Sequence, residues 1–246
     1  MKALLRRELY VLKYNLIPFI CIWMLLPMAI YLFISIPFSG QISIDVINYI
    51  NWSSIGNAVY SSSILAYLLS SMLILKYKNK TSFSNLMLAA PQTNSQHLGA
   101  IVIWASMIGL VQFLFSIVIT QTLNSSNLFF LDKILIMIYG LPIIIFVSNL
   151  AIFVHLIVDR KLIQTLVNSI LIIFFLFSSG LFLPLNQAPL FLSYSPLYQT
   201  IINMQNIIMI NSSVIYPSII VLVLSCLLYT SPSPRDRTRS RMPSSA

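Results

Sequence analysis

Long apolar runs alternate with short polar joints along most of this chain. The runs fall at about 15–37, 57–75, 99–121, 134–157, 162–183 and from 213 onward. A hydrocarbon layer of about 30 Å needs about 20 apolar residues in a helix to cross it. The pattern therefore predicts an all-α, polytopic integral membrane protein with six transmembrane helices. Ahead of the first run, "MKALLRRELYVLKY" puts Lys2, Arg6 and Lys13 on one stripe at helical spacing, with Leu4, Leu5 and Leu12 turned elsewhere. That stretch predicts an N-terminal helix lying in the headgroup layer; the competing reading is a solvated helical start. The first run has a basic flank, as a signal peptide does. It is too long for the apolar part of one, and no small-residue cleavage site closes it, so it reads as a retained span. Pro18, Pro27 and Pro142 lie within spans. There neighbouring helices can satisfy the freed backbone groups, and kinks are expected at Pro27 and Pro142.

Composition agrees with the pattern. Hydrophobic residues make up 58% of the chain and charged residues 8%, against about 25% charged in a soluble domain. Such a chain has too few charges for a water-facing surface, so lipid is its main solvent. The net charge of +9 invites a nucleic-acid reading, but the basic residues sit at the ends of apolar runs rather than in a patch. If six spans alternate, Lys2, Arg6, Arg7, Lys13, Lys76, Lys78, Lys80, Arg160 and Lys161 share one side, while the other has only Lys133 among bases, with Asp45 and Asp132. Basic residues collect on the cytoplasmic side, which predicts a cytoplasmic N-terminus and a partner in the bilayer, not in nucleic acid.

The spans offer little covalent chemistry. Their interiors hold no Asp, Glu, Lys or Arg, the groups that mark ion- and proton-coupling paths. No Gly-rich turn followed by Lys-Ser or Lys-Thr supplies a phosphate-binding loop. Cys21 and Cys226 are the only cysteines, too few for a disulfide framework or thiolate metal site. His97 and His155, near predicted cytoplasmic span ends, read as interface-level residues ahead of metal ligands. These features predict no enzyme activity, no resident cofactor and no metal. If the protein moves a substrate, its energy comes from another chain. Gln112, Thr120, Ser148, Asn149, Asn168, Ser169, Ser178 and Ser179 enter the spans. They either line a substrate path or hydrogen-bond neighbouring helices, and both readings stand at this point.

The loop after the second span, "LKYKNKTSFSNLMLAAPQTNSQHLGAIVIW", holds an amphipathic pattern. Phe83, Leu86, Met87 and Ala90 recur at i, i+3, i+4 and i+7, a helix too short to span, and Pro91 stops it. Such a helix fits a partner's groove, or else lies against the bilayer. Here the chain resembles the permeases of ABC type-2 exporters, which have an interfacial N-terminal helix, six spans and a coupling helix in the first cytoplasmic loop. The resemblance rests on Ser82, Leu86, Met87, Leu88, Pro91 and Gly99, with Phe83 beside them. The family's usual Gly and Glu are missing, and Thr81 to Asn85 supply small polar residues and Phe83 instead. A second match is "SSGLFLPLNQAPLFLSYSPLYQTI", with Gly180, Pro184, Pro189 and Pro196. In the family this segment follows the fifth span and dips back into the outer leaflet, so 184–212 is expected to be partly helical and membrane-embedded.

The resemblance covers residues 1–225 and implies a permease of the bacterial or archaeal cytoplasmic membrane. It further implies a homodimer or paired permease and a separate ATPase subunit that carries the ATP and Mg. Its outward cargo would be lipid-linked, glycan or drug-like and amphipathic. A haem-exporter permease is a close variant, since "MKALLRRE" also resembles that subgroup. A non-transporting membrane scaffold or a membrane enzyme is the rival class. Beyond Ser225 the text changes character: "CLLYTSPSPRD" resembles the translated transposon-end adapter of a sequencing library, and "SRMPSSA" a translated flow-cell adapter. Residues 226–246 are therefore expected to be a non-native tail, with the permease domain truncated within its sixth span.

Overall fold

The computed structural model describes residues 2–39, 49–79, 94–124, 130–158, 160–181, 195–210 and 216–230. Among them the regular structure is helical throughout. Helix α1 (Lys2–Tyr14) is the expected N-terminal helix. Asn15 (φ −109°, ψ 29°) separates it from α2 (Leu16–Ile30), which passes into a π-helical turn at Tyr31–Ser35 and a last turn, α3 (Ile36–Ser39). Then follow α4 (Tyr49–Asn79), α5 (Asn94–Asn124), α6 (Phe130–Ile157), α7 (Lys161–Ser178), α8 (Pro196–Ile210) and α9 (Tyr216–Thr230).

Five stretches are long and apolar enough to cross a membrane: Leu16–Ser39, Trp52–Lys76, Gln96–Leu123, Asp132–Ile157 and Lys161–Ser178. The protein is thus a multi-pass membrane protein. The expected sixth span appears as α9, whose 15 residues extend about 22 Å, short of the hydrocarbon thickness. Two other boundaries move. The second span begins at Trp52 rather than 57, within α4, which starts at Tyr49 and buries Ser53, Ser54 and Asn57; these polar residues obscure its beginning in the sequence. The fifth stops at Ser178 rather than 183, because Gly180 adopts φ +72°, the left-handed conformation that ends helices and that glycine takes without strain. Helix α6 continues through Pro142.

Helices α4, α5 and α6 form the centre. They pack mutually and bury 67%, 61% and 56% of the residues in their most apolar stretches, against 28% for α2 and 17% for α7. Gly109 on α5 sits at the three-way crossing: a Cβ there would lie 2.7 Å from Ile144 Cγ2 on α6 and 3.1 Å from Ala66 Cβ on α4. Small residues let apolar helices approach this closely where packing, not water, drives association. One cluster of buried residues joins these helices around Tyr67, Phe113, Ile136 and Ile144, reaching Phe175 of α7, Ile201 of α8 and Val221 of α9. A second, with Trp23, Ile74, Trp104 and Ile152, receives Leu5 and Leu12 of α1. Helix α1 therefore turns these leucines toward the bundle, while Arg6 and Lys13 are exposed.

Helix α8 lies inside the region 184–212 and packs on α9, α6 and α4 with Leu197, Tyr198, Ile201, Ile202 and Met204 buried. The expected helical, apolar face is present there. Helices α2 and α7 leave large residues exposed, Ile17 and Leu25 on one, Leu162 and Ile170 on the other. In a membrane such faces meet lipid or another apolar surface.

Candidate functional site

The polar interior of the bundle is its main candidate for function, and it is built from uncharged groups. The chain's apolar helices carry side-chain amides and hydroxyls where neighbouring helices meet. Each buried polar atom then needs a partner, because the hydrocarbon supplies none.

The sequence-predicted residues fall into two sets. Thr120 donates to the Ser116 carbonyl at 2.8 Å, Ser178 to Phe175 at 3.3 Å and Ser179 to Leu176 at 2.7 Å, all within or at the end of their own helices. Ser169 does the same with Thr165 at 3.0 Å on an exposed face. Ser148 donates to Ile144 at 2.9 Å and lies 3.5 Å from Ser106 on α5. The amides reach farther. Gln112 on α5 donates to the Trp23 carbonyl of α2 at 3.3 Å. Asn149 on α6 donates to the Ser225 carbonyl of α9 at 3.3 Å. Asn168 on α7 accepts from the Tyr67 hydroxyl of α4 at 2.6 Å. These hydrogen bonds are the inter-helix role of the two held open above.

Sequence reasoning missed Asn57, Tyr49 and Gln205. Asn57 donates to the Pro27 carbonyl at 2.9 Å, and Gln205 on α8 donates to the Trp52 carbonyl of α4 at 3.4 Å. Tyr49 donates its hydroxyl to the Leu181 carbonyl. Tyr49 precedes the span Trp52–Lys76, and burial pushes its phenol up to about 12, so it stays a donor at ordinary pH. The Tyr49 bond pins the turn after α7 onto the start of α4, and the Gln205 bond brings α8 to the same place. A Cβ at Gly56 would meet the Ser179 carbonyl at 2.8 Å, and one at Gly180 would meet Gln205 Nε2 at 3.1 Å. Both glycines thus permit backbone approach at this corner. Gly180 leads directly into the segment expected to re-enter the membrane. Pro196 opens α8, while Pro184 and Pro189 lie outside the described residues.

Among the described residues the charged side chains lie on α1 and at or beside the ends of the spans. Glu8 is buried and accepts from Arg7 Nε at 2.9 Å. Helix α1 packs on α5, whose first turn carries the buried His97. His155, also buried, sits in the last turn of α6 with Nδ1 2.8 Å from the Ala151 carbonyl. Both histidines are thus buried rather than presented at a surface. Among the described residues no three of His, Cys, Asp and Glu come together as metal ligands. Ser82, Phe83, Leu86, Met87, Leu88 and Pro91, expected to form a coupling helix, lie outside the described residues. No family model matches the chain, nor does any curated protein or solved structure.

Proposed function

We propose that this chain is the membrane-spanning permease of an ATP-driven exporter of the ABC type-2 class, with ATP hydrolysed by a separate subunit. The observation that carries the reading is the set of described spans: apolar helices whose interiors hold amides, hydroxyls and imidazoles but, among the described residues, no carboxylate, ammonium or guanidinium, the buried Glu8 lying on α1 outside them. An ion-coupled carrier ordinarily places such a charged group in its path. A permease powered from outside the bilayer needs none. The order of elements supports the same reading, with α1 ahead of the first span, an amphipathic stretch at 81–90 between α4 and α5, and α8 folded back against α4 and α6. In this reading the N-terminus is cytoplasmic, and α9 is the described part of the sixth span.

The exposed apolar faces of α2 and α7 suit lipid and, in part, a second permease chain. The cargo is amphipathic and moves outward: lipid-linked, glycan or drug-like. The membrane is the cytoplasmic membrane of a bacterium or archaeon. One observation favours a second reading, a non-transporting scaffold: the eight polar residues singled out in the sequence hydrogen-bond their own or neighbouring helices.

The test is co-purification of an ATPase with the tagged chain, comparing wild type with Phe83→Ala and Lys78→Gln. Interface energy concentrates in a few packed, often aromatic anchors. Phe83→Ala should cost about 1–3 kcal/mol of docking energy and lower ATPase recovery at least several-fold, with membrane insertion unchanged. Lys78→Gln should leave recovery intact, since the simplest role of Lys78 is topological. Equal recovery in all three removes residues 81–90 from the interface.

A further inference from the structure

Helix α2 passes through Pro27 into a π-turn midway along the span Leu16–Ser39, and two side chains from other helices hydrogen-bond its carbonyls there. Pro27 has no amide hydrogen, so the Trp23 carbonyl one turn earlier loses its helical partner. Gln112 Nε2 on α5 donates to that same carbonyl at 3.3 Å. One turn later the Tyr31 amide is shared between the Met28 and Pro27 carbonyls, and the helix widens into the π-turn at Tyr31–Ser35. Asn57 Nδ2 on α4 donates to the under-served Pro27 carbonyl at 2.9 Å. Irregular helices persist in lipid only where such groups are satisfied internally, and π-turns recur at functional sites.

The other ends of these side chains carry the argument further. Asn57 Oδ1 and Gln112 Oε1 are buried without a protein partner, and so is the indole Nε1 of Trp23. The residues themselves are buried, Asn57 and Gln112 completely. Each amide therefore directs its protein hydrogen bonding at this part of α2 alone. Trp23 and Gln112 also retain one unmet donor and one unmet acceptor, although they already touch through the Trp23 carbonyl. Pairing the indole N–H with Gln112 Oε1 would satisfy both.

We infer that Gln112 and Asn57 are positioning residues for a pivot in α2 at Pro27, about which the half of α2 joined to α1 swings relative to the α4–α5–α6 core. The pivot rests on the hydrogen-bonding pattern alone; its use in alternating access rests on the permease reading. Helix α2 is suited to such movement, because only 28% of its most apolar stretch is buried. Ordinary inter-helix bonding would tie Gln112 to α2 whether or not Pro27 were present. A prop for a freed carbonyl becomes redundant once the backbone donor returns.

The experiment is a double-mutant cycle on the purified full chain. Gln112→Met should lower the apparent Tm by about 2–4 °C in the wild-type background. With Pro27→Ala, which restores an amide for the Trp23 carbonyl, the same change should shift Tm by less than about 1 °C. Spin labels on Cys21 and on an introduced Ile138→Cys, with Cys226→Ser, then read α2 against α6 by pulsed electron–electron resonance. The wild type should give a broad or two-component distance distribution and Pro27→Ala a single narrow one. Folding of Gln112→Met only in the Pro27→Ala background is the same coupling at its extreme and supports the inference. If Gln112→Met folds in neither background, the distance comparison between wild type and Pro27→Ala decides alone. Equal Tm losses in both backgrounds, or matching distance distributions, overturn the pivot. Neither readout involves an ATPase, so failure here leaves the permease reading standing, and failed co-purification leaves the pivot standing.

Discussion

Replacing Gly109 with alanine adds one methyl group where three helices cross, and the structure fixes what it meets. The new Cβ would stand 2.7 Å from Ile144 Cγ2, 3.1 Å from Ala66 Cβ and 3.4 Å from the Ser62 carbonyl. None of these can step aside locally. Ile144 is β-branched in a helix and held to essentially one rotamer, and the other two atoms move only with their backbones. Relief therefore requires α4, α5 and α6 to separate. Overpacking costs about 1–3 kcal/mol, and a 2.7 Å contact belongs in the upper part of that range, about 2–3 kcal/mol; replacing a helical glycine by alanine returns about 0.5–1 kcal/mol. The net loss is about 1–2.5 kcal/mol. At about 2–4 °C per kcal/mol for a chain of this size, the apparent Tm in detergent should fall by about 2–10 °C. Gly140→Ala is the internal comparison. Its Cβ would meet the far ring atoms of Phe113 at 3.0 and 3.1 Å, and a ring can tilt, so its loss should be the smaller. A Gly109→Ala protein as stable as wild type, or more stable than Gly140→Ala, would refute the tight three-way crossing.

Two further outcomes follow from the polar contacts. Tyr67→Phe removes the hydrogen bond from α4 to Asn168 of the lightly packed α7; it should lower the apparent Tm by about 2–4 °C, and Asn168→Leu added to it should cost little more. The Tyr49 phenol has its folded pKa raised by burial from 10.0 to about 12, so the folded form holds this proton more tightly. Its contribution is fully present below about pH 10 and is lost as pH rises through about 12. Thermal melts should therefore show a loss of stability in that alkaline window that is smaller in Tyr49→Phe.

The membrane-spanning runs were legible because lipid selects composition directly: a stretch such as "LPIIIFVSNLAIFVHLI" needs no knowledge of its neighbours to be placed in hydrocarbon. Polar roles were not legible in the same way. The function of Gln112 is set by a carbonyl that Pro27 frees 85 residues earlier in the chain, and only the packing of α2 on α5 joins the two. The early start of α4 was hidden for a related reason. Ser53, Ser54 and Asn57 look like a polar joint in the sequence, yet neighbouring helices bury them. Gly180 did carry a local signal, a glycine at the end of an apolar run, and it marks where α7 stops. The resemblance that suggested a coupling helix concerns residues 81–91, which lie outside the described part of the chain, so that portion of the site rests on sequence pattern alone.

The central claim is that the energy for transport comes from another chain, and ATP hydrolysis in lipid nanodiscs tests it directly. The chain alone should hydrolyse no ATP. Together with its co-purifying ATPase it should raise that subunit's turnover, and Phe83→Ala should abolish the rise while Lys78→Gln keeps it. Hydrolysis by the chain alone, or an ATPase whose turnover is the same with and without it, would contradict the account.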